Sequence, residues 1–186
     1  MKPLQNHKYW SFDFDRTLVE MQVDWGMVWD EVFKLFKENS WELSEGLGLH
    51  ESIDEAASKY DVRVKKHFHD ILQKYESGCS FTRNIPLLAV LEKSSVPWAI
   101  FSNNCKGTIL SILETLDLSP SIIVAYEDVQ TCKPSSEGLE LILKHFSIES
   151  EPEKLIFVGD KVTDKKAADS ADVPFFYVQD LGEKFI

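Results

Sequence analysis

Cysteine is scarce and unpatterned in this chain. Cys79, Cys105 and Cys132 are the three among 186 residues, widely spaced and free of any C-x-x-C pair. They fit neither a disulfide framework nor a zinc site, and a reducing cytoplasm is the expected setting. Long apolar runs are also missing: no segment approaches membrane-spanning length, so no membrane association is expected, and the polar stretch Met1–Lys8 lacks the apolar centre of a signal peptide. Positive charge is in deficit, with 20 Lys and Arg against 31 Asp and Glu and a formal net charge of −11. Phosphate-backbone binding needs clustered basic residues, so no nucleic-acid partner is expected. An anionic substrate would meet general repulsion unless a metal, a lysine or backbone N–H groups made its site locally positive. Internal repeats and low-complexity tracts are absent, and nothing in the composition fixes an oligomeric state.

What is present is an alternation of short apolar runs and helical patterns. Tyr9–Phe14, Val96–Ser102, Ile122–Tyr126 and Leu155–Val158 read as buried parallel strands, and Val173–Val178 as a fifth. Between them lie helical patterns at Ile85–Lys93, capped by Asn84 with Pro86 in the first turn, and at Ile109–Leu116, Leu139–Phe146 and Thr163–Ser170. This alternation predicts a doubly wound α/β sheet, with a ligand site outside the carboxyl ends of its strands. Residues 20–80 break the pattern: they contain no convincing strand and read as an inserted helical lid. Trp25, Val28, Trp29, Val32, Phe33 and Phe36 mark one apolar helix face, a second run extends from Ile53 towards Tyr75, and Ser40–Ser52 is the expected turn. The expected division is therefore a core of residues 1–19 and 81–186 and a cap of residues 20–80.

The densest chemistry lies in Trp10-Ser11-Phe12-Asp13-Phe14-Asp15. Residues two apart in a strand point the same way, so Asp13 and Asp15 can leave a strand end facing one small volume. Two anions that close require a cation, or one carboxyl must stay protonated and serve as an acid. Three more polar clusters follow in order: Phe101-Ser102-Asn103, Lys133-Pro134, and Gly159-Asp160-Lys161-Val162-Thr163-Asp164.

In order and spacing these four clusters resemble the haloacid dehalogenase-like (HAD) hydrolase superfamily, over residues 13 to about 174. The helical insert falls where subfamily I, with its phosphoglycolate phosphatase-like enzymes, places a cap. The resemblance implies a Rossmann-like core and a Mg2+-dependent phosphatase acting on a small phosphorylated metabolite. By it Asp13 is the nucleophile that forms an aspartyl-phosphate. Asp15 protonates the leaving oxygen and then deprotonates water. Ser102 and the Asn103 N–H, at a helix start, bind phosphate. Lys133 neutralises the nucleophile and the transferring group. Asp13, Asp160 and the backbone carbonyl of Asp15 hold Mg2+, with Asp164 supporting metal-bound water or Lys133. Asp15 also separates the chain from dehalogenase and transport-ATPase relatives, which lack an acid there. A phosphomutase would share these residues, and a non-catalytic binding or regulatory protein could share the fold.

The chain departs from the family pattern at Arg16 and Asp172, where Gly is usual, and at Lys161, where Ser is frequent. Asp tolerates left-handed backbone well enough to hold the turn at Asp172. Arg16 and Lys161 bring positive charge near the expected site. The basic cluster Arg63, Lys65, Lys66, His67 and His69 reads as a solvated face, Trp25, Trp29 and Phe33 as lid core, and Cys105 as a small buried residue.

Overall fold

A computed structural model describes residues 2–181 of the chain; residue 1 and residues 182–186 of the expected core lie outside the described residues. Five strands, β1 (Tyr9–Phe12), β4 (Trp98–Phe101), β5 (Ile122–Val124), β6 (Leu155–Gly159) and β7 (Phe175–Tyr177), form one parallel sheet in the order β5-β4-β1-β6-β7. The chain starts in the middle, at β1, and winds outward first to one side and then to the other. Its switch point therefore falls beside β1, between β4 and β6.

Both faces of this sheet are buried, and the two-residue strand period sorts the side chains between them. Trp10, Phe12, Ile100, Ile156 and Val158 pack on one side with helices α5 (Ile85–Lys93) and α6 (Lys106–Leu116). Ala99, Phe101, Leu155 and Phe157 pack on the other with α7 (Glu137–His145) and α8 (Val162–Ser170). Phe12, Phe101 and Phe157 are completely enclosed, each contributing about 1.5–3 kcal/mol of apolar burial. Asn84 caps α5 by accepting from the Leu87 N–H, with Pro86 in the first turn as its sequence indicates.

After a short helix α1 (Lys2–Gln5) ahead of β1, the inserted segment carries three helices: α2 (Trp25–Glu38), α3 (Leu49–Lys59) and α4 (Arg63–Glu76). Asp24 caps α2, which buries Val28, Val32 and Phe36 at four-residue spacing, while α4 buries Val64, Phe68 and Leu72 in the same way. Four expectations are corrected here. The run from Ile53 towards Tyr75 is two helices, because the Asp61 carboxylate takes the Arg63 N–H and turns the chain between them. The turn within Ser40–Ser52 ends at Gly48, where α3 begins. The region read as free of strands contains most of β2 (Val19–Met21), which pairs antiparallel with β3 (Phe81–Arg83) at the root of the insertion. At three residues each, these strands are too short to show a period. Phe33, read as lid core, is 52% exposed and stacks on Trp29 instead.

Candidate active site

Asp13, Ser102 and Asp160 follow directly on β1, β4 and β6, the three neighbouring strands at the switch point. The Asp13 N–H donates to the Val158 carbonyl at 2.8 Å, which ties the end of β1 to β6 and fixes where its carboxylate emerges. The chain then turns sharply: the N–H groups of Thr17, Leu18 and Val19 all converge on the Phe14 carbonyl. Arg16 at the tip takes a left-handed φ of 66°, which accounts for the usual Gly there, and Asp172 does likewise at 54°.

Asp13 is 5% exposed and anchored at both oxygens. Lys133 Nζ donates to Oδ1 at 2.5 Å and Thr17 Oγ1 to Oδ2 at 3.3 Å. The same Lys133 ammonium donates to Asp164 Oδ1 at 2.6 Å and to the Phe101 carbonyl at 3.1 Å. Burial alone would lower the Lys133 pKa, but Asp13 and Asp164 outweigh it and hold the ammonium firmly charged. Burial pushes the Asp13 carboxyl up, and Lys133 pulls the other way. Asp164 is fully committed: its second oxygen takes the N–H groups of Asp160 at 3.1 Å and Lys161 at 2.8 Å. This close fold-back needs Gly159, because a Cβ there would sit 2.6 Å from the Asp164 carboxylate.

Asp160 completes an acidic trio, with one carboxylate oxygen each from Asp13, Asp160 and Asp164 within 4.8 Å of one another. Its Oδ1 is buried and has no hydrogen-bond partner among the described residues. An orphaned buried carboxylate oxygen costs free energy unless a cation meets it, so the hard oxygen set here suits a divalent ion such as Mg2+. Asp15 is 4% exposed, and its Oδ1 takes the Met21 N–H at 2.9 Å, so the small β2–β3 ribbon steers it. Burial raises its pKa against that hydrogen bond.

Ser102 and Asn103 differ in detail from the expectation. The helix after β4 starts only at Lys106, so the Asn103 N–H does not lie at a helix start. The Asn103 side chain instead clamps Lys133, taking its N–H at 3.1 Å and donating to its carbonyl at 3.3 Å. The Ser102 hydroxyl donates to Asn104 Oδ1 at 2.8 Å. Asn104 in turn donates to Glu76 Oε1 at 2.8 Å, and the Cys105 N–H donates to Glu76 Oε2 at 2.9 Å. Glu76 is the last residue of α4, so the insertion reaches Ser102 through two side chains. Burial pushes its pKa from the ordinary 4.5 to about 7.

These groups face one cavity of about 160 Å3, walled by Asp13, Asp15, Ser102, Lys133 and Asp164 from the sheet. Trp25, Leu49, His50 and Glu51 close it from the insertion. Trp25, read as lid core, is therefore a cavity wall. Residues 63–69 of the basic cluster contribute nothing to this cavity: Lys65 pairs with Asp54 at 2.6 Å and His69 with Glu127 at 2.9 Å. Lys161 lines it, whereas Arg16 lines a separate cavity with Arg83 and Asp160. His50 Nε2 meets the Asn103 carbonyl at 3.1 Å, and burial together with Lys161 and Lys133 lowers the imidazole to about 3, keeping it neutral. The sequence carried one unused signal: Glu76 continues the four-residue stripe Val64, Phe68, Leu72, where an apolar side chain would be expected.

Comparison with known proteins gives a consistent picture. The model of the haloacid dehalogenase-like hydrolase family matches residues 11–178. A phosphoglycolate phosphatase from Shigella boydii is 30% identical over 126 residues, covering 65% of this chain and 49% of the relative. The chain thus spans about half the length of that curated relative. Among solved structures, a HAD-superfamily hydrolase from Ehrlichia chaffeensis superposes with a TM-score of 0.57 at 21% identity, covering 97% of this chain and 96% of that one. CbbY from Rhodobacter sphaeroides, solved in complex with phosphate, superposes at 0.63 with 15% identity over 92% and 85% of the two chains. At these identities the structures speak for the fold.

Proposed function

This chain belongs to the haloacid dehalogenase-like hydrolase family, and from that premise we propose that it is a phosphatase for a small phosphorylated metabolite, acting through an aspartyl-phosphate on Asp13. The observation that carries the reading is the convergence of the Asp13–Lys133–Asp164 network with the orphaned Asp160 oxygen at the ends of β1, β4 and β6. Structural burial of two carboxylates around one ammonium is a poor way to build stability and a good way to build a reactive site.

Asp13 attacks phosphorus. Its carboxylate is held by Lys133 and Thr17, so it enters with little reorganisation. Asp15 gives its proton to the leaving oxygen; its raised pKa favours that protonated form. As a carboxylate it then takes a proton from the water that attacks the acyl phosphate, returning Asp13. Lys133 stays charged and offsets negative charge on the phosphoryl oxygens. Ser102 adds a donor once its hydroxyl turns from Asn104 to the phosphate. Asp13, Asp160 and the Asp15 carbonyl would hold Mg2+, which supplies charge neutralisation for an anionic nucleophile meeting an anionic phosphate. Asp164 acts as the positioning residue for Lys133.

Residues 20–80 act as the cap, and the small cavity that their helices close over the sheet supports a substrate of a few heavy atoms beyond the phosphate. The three free thiols support a reducing, cytoplasmic setting. The test is phosphate release from an aryl phosphate and a panel of phosphorylated metabolites. Turnover with Mg2+, lost on chelation and restored by its return, is expected. A folded, metal-binding protein that turns over no phosphate ester at any pH would overturn the reading.

A further inference from the structure

A second cavity, of about 360 Å3, opens between α4 and the head of α6, away from Asp13. It gathers His69 from α4, Cys105 from the residue before α6, and Glu127 from the turn after β5, with Glu76 and Cys79 on the same wall. One donor atom each of His69, Cys105 and Glu127 lies within 4.8 Å of the other two. His69 Nε2 already meets Glu127 Oε1 at 2.9 Å, and its ring lies parallel to Tyr126, 16° off plane, which fixes its orientation. Both Glu127 oxygens take the Lys106 N–H, at 3.1 and 3.0 Å. That leaves lone pairs on a carboxylate whose position is already set.

The chemistry of this trio differs from that of the Asp13 cluster. Imidazole nitrogen, thiol sulfur and carboxylate oxygen together suit zinc and its neighbours, whereas Mg2+ takes oxygen alone. We propose that His69, Cys105 and Glu127 form a transition-metal site of the zinc type that ties the inserted helices to the sheet domain. On binding, the Cys105 proton leaves to solvent and a metal–thiolate bond replaces the S–H, while the His69–Glu127 hydrogen bond gives way to two metal bonds. A dication balances the thiolate and Glu127 and also relieves the crowding of Glu76 beside them. Tetrahedral bonds of ~2.0–2.3 Å need donors roughly 3.3–3.8 Å apart, and the three donors already lie within 4.8 Å of one another. The cysteine spacing read as unsuited to zinc because the three ligands come from three separate elements.

Co2+ is the probe. Titrating the whole chain should produce a near-ultraviolet thiolate-to-cobalt charge-transfer band with intense visible bands of four-coordinate cobalt, saturating at one equivalent and erased by Zn2+. Cys105→Ser should abolish the charge-transfer band, His69→Ala should weaken binding by about tenfold or more, and Cys79→Ser and Asp160→Asn should keep the band. Zn2+ should raise the Tm of the wild-type chain by more than that of Cys105→Ser. No charge-transfer band, or a band that survives Cys105→Ser, would overturn the site. Should Cys105→Ser fold poorly, unchanged affinity in His69→Ala decides against it equally.

Discussion

At the scale of single residues, Lys133 gathers the candidate site into one network. It meets Asp13, Asp164 and the Phe101 carbonyl and lies 5.3 Å from the Phe101 ring centroid, all within the core. Lys133→Met keeps the stem but leaves two buried carboxylates facing one another. The expected cost is about 3–5 kcal/mol of stability, read from denaturant unfolding, together with loss of turnover. The sequence made the ends of this network readable, because Asp13 and Asp160 stand where apolar strands stop. It did not reveal the links through Asn103 and His50. Asn103 to Lys133 spans 30 positions and His50 to Asn103 spans 53, and such contacts exist only once separate segments dock.

At the scale of elements, α4 is the inserted helix that reaches Ser102 through Asn104. Its apolar stripe ends in Glu76, which holds Asn104 and the head of α6 and thereby orients Ser102. Burial raises Glu76 to about 7 from 4.5, so the folded state binds its proton more tightly than the unfolded chain. That contribution to stability is complete below pH 4.5 and is lost as pH rises through about 7. Glu76→Gln should therefore flatten the fall in stability between pH 5 and 8 relative to wild type, as denaturant midpoints across that range would measure. An identical pH slope in both proteins would contradict this role. Helix α5 was readable to the residue because Asn84 and Pro86 punctuate it, whereas the β2–β3 ribbon carries no such marks.

At the scale of the whole molecule, the insertion is seated on the sheet by polar contacts along one side. His50 reaches Asn103, Asp54 takes the Cys132 N–H, the Tyr126 hydroxyl donates to the Lys65 carbonyl, and Glu76 holds Cys105. Seated this way it leaves about 160 Å3 above Asp13. Phosphate esters of two to four carbons should then exceed a nucleoside monophosphate in kcat/KM by about tenfold or more, a ratio that steady-state kinetics gives directly. The alternation of strand and helix made the sheet and the strand ends that face the site legible, and the long helical interruption made the insertion legible. How the two close on one another was not, since docking of Trp25, His50 and Glu51 over the site depends on packing between segments that the sequence keeps apart.

The central claim is that Asp13 carries phosphate during turnover. Acid quenching during steady-state hydrolysis, followed by borohydride reduction and peptide mass mapping, reads this directly, because a reduced aspartyl-phosphate becomes homoserine. Homoserine at position 13 in the wild-type chain, and none in a folded, inactive Asp13→Asn, is the expected result. A turning-over enzyme that shows homoserine nowhere or at another aspartate, or an Asp13→Asn variant of near-wild-type activity, would contradict it.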